Sequence, residues 1–166
     1  MEHRLASEIR AEGRRLTGYA ATFGTEARIG TFTETITRGA FADTLRAGGD
    51  VLALVDHDPT RLLARTRTGT LRLAEDDTGL RFELDVPDTN LGRDVLAMAE
   101  RGDLGGMSFA FTPTDESWQG RKRELRAVNL HEVSVVHAWP AYDGTSVDAR
   151  TGTPNLNRAR RYLETC

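Results

Sequence analysis

The sequence predicts an α+β domain: a closed or nearly closed, mainly antiparallel β-barrel with a few helices outside it. Three observations lead there. Short runs rich in Thr, Val and aromatic residues alternate with turn signals along most of the chain. One stretch, TLRLAEDDTGLRFELDV, is a complete hairpin pattern in itself. Only two segments carry the three-to-four-residue apolar spacing of a helix.

Residues 1–15, MEHRLASEIRAEGRR, are charged and read as a mobile, solvated segment ahead of the domain. The domain itself is expected over 16–150, with a tail over 151–166. LTGYAATF (Leu16 to Phe23) and TFTETI (Thr31 to Ile36) have strand composition. GAFADTLRAGG suits a short helix ended by Gly48 and Gly49. DVLALVDHD is a continuous apolar run, as in a strand buried on both faces. In the hairpin, Leu80, Phe82, Leu84 and Val86 alternate with Arg81, Glu83 and Asp85 around an EDDTG turn.

NLGRDVLAMAERG is the strongest helix, with Leu91, Val95, Met98 and Ala99 on one stripe. Thr89 or Asn90 can cap it, and Gly102 can close it in the left-handed conformation. GDLGGMSFAF starts the next strand. A turn around Gly120 leads to LRAV and then NLHEVSVVHAW, the last clear strand. Beyond Thr151 the pattern weakens into an Arg-rich tail, where Arg158, Arg160 and Arg161 read as solvated.

Bulk properties narrow the function classes. The chain has 166 residues, net charge -3 and a single cysteine, the C-terminal Cys166. An internal disulfide is excluded, and a reducing cytosol is the expected setting. Acidic residues outnumber basic ones and the arginines are dispersed, so no nucleic-acid footprint is indicated. No run is long enough to cross a membrane as a helix, and no secretory signal opens the chain.

Strand alternation puts Met107, Phe109 and Phe111 on one face and Ser108, Ala110 and Thr112 on the other. A serine on the small-residue face is open to an approaching peptide. The same pattern fits any strand lying under a helix. A serine nucleophile needs a base, and four histidines are available. His3 falls in the charged N-terminal segment and is a poor choice. His57 ends an apolar strand between Asp56 and Asp58, well suited to proton transfer, although loop histidines are common.

His131 and His137 bracket HEVSVVH, which shares its first two letters with the zincin motif. Six residues of strand would hold the two rings roughly 20 Å apart, so they cannot share a metal. Glu132 and Ser134 share the polar face of that strand. A carboxylate there can orient an imidazole as the third member of a triad, or it can simply be a surface glutamate.

ITRGAF, VLALVDHD, GDLGGMSFAF and LHEVSVVHAWPAY, in this order, resemble the prohead maturation proteases of tailed bacterial viruses. The resemblance runs from about Leu16 to Val147, and the tail after Thr151 departs from it. That family is similar in fold to the herpesvirus capsid-maturation proteases, whose site residues follow the same chain order. The resemblance implies His57 as general base, Ser108 as nucleophile and Glu132 as the orienting residue. His131 is the rival for the third role, because the herpesvirus enzymes use a second histidine. It also places oxyanion-hole amides in the loop PAYDGT.

The implied function is a serine endopeptidase cleaving scaffold segments of the major capsid protein, and itself, inside the assembling procapsid in the bacterial cytoplasm. It needs no metal or organic cofactor, no membrane and no direct nucleic-acid contact. The rival is a non-catalytic assembly or scaffolding module on the same barrel. A small-ester hydrolase ranks last, since the chain lacks the G-x-S-x-G elbow.

Overall fold

The computed structural model describes residues 1–6 and 9–138. Eleven strands and two α-helices are present among them. The order is β1 (Glu2–Ala6), β2 (Ile9–Glu12), β3 (Arg15–Thr22), β4 (Ala27–Ile29), β5 (Phe32–Ile36) and α1 (Ala42–Ala47). There follow β6 (Leu52–Val55), β7 (Asp58–Arg65), β8 (Leu71–Glu75), β9 (Gly79–Asp85), α2 (Asn90–Arg101), β10 (Gly106–Gln119) and β11 (Lys122–Val136). The α+β expectation holds.

The strands form two sheets. The first runs β1-β10-β11-β5-β4, with β6 also pairing with β11 and β7 with β6. The second runs β2-β3-β9-β8. Among the described residues neither sheet closes on itself, so the expected barrel closure is absent from these ladders. Alternation in sequence reveals which face of a strand is buried, but not which edge it pairs with.

Both sheets turn an apolar face to one core. Leu16, Leu80, Phe82 and Leu84 come from the second sheet, and Met107, Phe109, Phe111, Val133 and Val135 from the first. Phe41, just before α1, meets Phe109 edge-on at 5.7 Å. The predicted hairpin is β8–β9, and its turn is held by Asp76 Oδ1, which accepts the Thr78 and Gly79 amides. Thr89 caps α2 by accepting the Gly92 N–H, and Gly102 closes it with φ 75°.

Three sequence expectations are corrected. LRAV and NLHEVSVVHAW are one strand, β11, kept continuous because β-bulges absorb the irregular register against β10. DHD does not continue the apolar strand: β6 ends at Val55, and Asp56 and His57 form a two-residue hairpin between β6 and β7. The supposedly mobile N-terminus supplies β1, paired with β10, and β2, paired with β3. Glu2 and Arg4 of this segment find distant partners. Arg4, 5% exposed, pairs with Glu34, 2% exposed, at 2.5 Å, and Arg123 reaches Glu2 and Glu34. β4 and β7 have no counterpart among the elements expected from sequence. No helix among the described residues is long and apolar enough to cross a membrane.

Candidate active site

Antiparallel pairing of β10 with β11 sets Ser108 opposite Ser134 and Ala110 opposite Glu132. Cross-strand partners share a face, so Ser108, Glu132 and Ser134 all lie on the side of the sheet away from the phenylalanine core. On the other edge of β10, β1 pairs His3 with Ala110 and adds that side chain to the same face. On the far side of β11, β6 runs parallel and ends beside Ser134 and Val135. Its next two residues are Asp56 and His57.

Both of those residues have positive φ, 52° and 59°. This is the backbone pattern of a type I′ hairpin turn, normally filled by Asn-Gly. Neither residue is glycine, so the turn stores roughly 1–2 kcal/mol per residue of strain. The surroundings hold it in place. The Asp56 N–H donates to Val135 O at 2.9 Å, and the His57 N–H donates to Ser134 Oγ at 3.1 Å. Asp56 also accepts the His137 N–H at 2.9 Å and contacts His137 Nδ1 at 2.7 Å.

The turn aims the imidazole at the serine. His57 Nε2 lies 2.8 Å from Ser108 Oγ, and His57 Nδ1 is hydrogen-bonded to Glu132 Oε1. An ionised carboxylate only accepts, so Nδ1 carries the proton and Nε2 offers its lone pair to the serine hydroxyl. Glu132 Oε2 accepts from Ser134 Oγ at 2.6 Å. Ser108 is 2% exposed, while the His57 side chain keeps 25% of its surface, leaving the ring accessible from solvent. Gly105, just before β10, permits the close approach of the end of β11. A Cβ there would stand 2.3 Å from Ala138 O.

The caudovirus prohead serine protease family model matches residues 3–158 of the chain. The chain belongs to that family. No curated protein and no solved structure matches it.

In this prohead protease family member, the three residues singled out from the sequence are brought together, and the rival is not. His131 Nε2 lies 2.8 Å from Thr112 Oγ1, away from His57. His137 is held by Asp56. Asp56 and Asp58, the carboxylates flanking His57 in sequence, turn to Arg61 and to Thr60 instead. The loop Pro140 to Thr145, expected to carry oxyanion amides, lies outside the described residues, as do the 151–166 tail and its arginines.

Two residues of the site have no role predicted from the sequence. Alternation puts Ser134 on the polar face but gives it no role. His3 belongs to a charged segment that makes it a poor candidate, yet its Nδ1 is 3.0 Å from His57 Nδ1, with the rings edge-to-face at 4.2 Å. Burial, followed by the neighbouring His57 ring, pushes the His3 imidazole down to about 4. His3 is therefore neutral near pH 7, and beside a protonated His57 Nδ1 its own Nδ1 can only accept.

Proposed function

We propose that this protein is a serine endopeptidase of procapsid maturation, cleaving scaffold segments of the major capsid protein and also itself. It would act within the assembling shell in the bacterial cytoplasm. The observation that carries the reading is the unbroken chain Ser108 Oγ–His57 Nε2, His57 Nδ1–Glu132, on a chain of the prohead protease family.

In the first step Ser108 Oγ attacks the scissile carbonyl while His57 Nε2 takes its proton. Glu132 holds the ring by Nδ1–H and offsets the charge of the imidazolium. His57 returns the proton to the leaving amine, and the peptide C–N bond breaks to give an acyl-enzyme. Water then attacks the acyl carbon as His57 removes its proton; the second tetrahedral species collapses with loss of the C–Oγ bond, and His57 returns the proton to Ser108 Oγ, freeing the acid. Each role uses one geometric feature of the site. Confinement with the capsid protein keeps substrate concentration high, so modest intrinsic activity is enough.

Co-expression with the cognate capsid protein tests this, with precursor and product separated by gel. Ser108→Ala should leave the precursor uncut and the fold unchanged. Normal processing by a folded Ser108→Ala protein would remove Ser108 as nucleophile.

A further inference from the structure

Three donor atoms converge behind the imidazole, on the ring edge away from Ser108: His3 Nδ1, His57 Nδ1 and Glu132 Oε1. We propose that they form a site for a zinc-class divalent cation, and that occupying it switches off the Ser108–His57 pair. The second half rests on the triad reading above, whereas the first does not.

The donor set and its spacing suit such an ion. Two imidazole nitrogens and one carboxylate oxygen, plus a water, are a familiar four-coordinate zinc environment. With metal–ligand bonds of about 2.0–2.1 Å, tetrahedral ligand atoms stand roughly 3.3 Å apart. His3 Nδ1 is 3.0 Å from His57 Nδ1 and 3.8 Å from Glu132 Oε1, on either side of that value. The remaining edge, the His57–Glu132 hydrogen bond, is the one contact that must open.

The outer shell is already built. Ser134 Oγ anchors Glu132 Oε2, so that Oε1 can turn to an ion once its hydrogen bond to His57 Nδ1 opens. Access exists too, since the His3 side chain is 38% exposed beside a largely buried Glu132. Imidazole ligands favour zinc over magnesium or calcium, which prefer oxygen-rich shells.

The consequence for His57 follows from proton bookkeeping. In the free site Nδ1 bears the proton and Nε2 the lone pair. A cation on Nδ1 needs that lone pair, so the proton moves through solvent to Nε2, with no net release. An Nε2–H cannot accept the serine proton, and the base is lost until the ion leaves. The ion is thus an inhibitor at this position and not a hydrolytic centre.

The test uses the full chain carrying Ser108→Ala, stripped with a chelator and titrated with zinc chloride against a chromophoric zinc indicator. One ion per chain should bind, and magnesium or calcium should not compete. Adding His3→Ala should weaken zinc binding by roughly 100-fold or more, since even outer-shell losses cost 10- to 100-fold. His3→Cys, which restores a soft ligand, should recover most of it and guards against a trivial folding effect. No single-ion binding, or equal affinity with and without His3, overturns the site.

In the unsubstituted protein, zinc should slow phosphonylation of Ser108 by a fluorophosphonate, and chelation should restore it. Zinc bound through His3 with unchanged labelling overturns the switch alone. Ser108 that fails to label even without metal counts against the triad and leaves the indicator titration to decide the metal site.

Discussion

The Ser134 hydroxyl donates to Glu132 Oε2 at 2.6 Å, and Ser134 Oγ itself accepts the His57 backbone N–H at 3.1 Å. One fully buried side chain thus holds both the imidazole beside Ser108 and the carboxylate behind that imidazole.

Ser134→Ala should therefore act through His57 and Glu132 without touching substrate. It leaves a buried carboxylate oxygen without its donor, at a cost of about 1–3 kcal/mol in stability. A misplaced imidazole should lower kcat roughly 10- to 100-fold with little change in KM. Steady-state kinetics on a capsid-derived peptide would check this, and an unaltered kcat would remove Ser134 from the positioning role.

Glu132→Gln keeps the shape of the side chain but loses the charge that offsets the imidazolium. Activity should fall clearly, and the acid limb of the pH–rate profile should move to lower pH. His131→Ala should change neither, because His131 contacts Thr112 and not His57. A large loss from His131→Ala with normal Glu132→Gln would reverse the assignment.

His3 offers a test of the N-terminal strand. Its ring is pushed down to about 4, whereas an unperturbed histidine titrates near about 6.5. Between those values the unfolded chain binds more protons than the folded one, so this group's contribution to stability declines as the pH falls through that window. NMR titration of the ring should give a midpoint near about 4. Glu34→Gln breaks a buried pairing with Arg4, which should cost about 3–5 kcal/mol and free β1. The His3 midpoint should then rise toward about 6.5. A midpoint near the unperturbed value in the original protein would contradict the packing of β1.

Asp56 links the strained turn to pH. Burial alone would raise its carboxyl, but hydrogen bonds from the His137 backbone and ring, and from Arg61, bring it below the ordinary value. Its contribution to stability is complete above the unfolded value of about 3.9 and fades as the pH drops through the lower folded value. Asn tolerates positive φ, so Asp56→Asn isolates the charge. The original protein should be the more stable near about pH 7, with the difference in Tm closing toward about pH 3. A gap independent of pH would rule out this linkage.

The parts of the site legible in the sequence were those fixed by local alternation. Ser108 facing away from Phe109, and Glu132 and Ser134 sharing a face, follow from a period of two within single strands. His57 at the end of an apolar run was legible as a position, but its hairpin was not, because Asp-His carries none of the glycine that marks such turns. His3 and Arg4 were misread for a different reason. Their partners are remote in sequence, Glu34 lying 30 residues from Arg4 and His57 54 residues from His3. A charged stretch looks solvated until the counter-charges arrive by folding. The edge pairing that separates the two sheets is likewise a long-range property, and β4, with three residues, carries too little pattern to read.

Activation of Ser108 by His57 is the step on which the proposed mechanism depends, and phosphonylation by a fluorophosphonate measures it without any knowledge of the substrate. Mass spectrometry of the labelled, digested protein should show a single adduct, on Ser108. His57→Ala should slow its formation by roughly 100-fold or more, the scale of a lost general base. An adduct on another residue, or Ser108 labelling that is as fast in His57→Ala as in the unsubstituted protein, would contradict it.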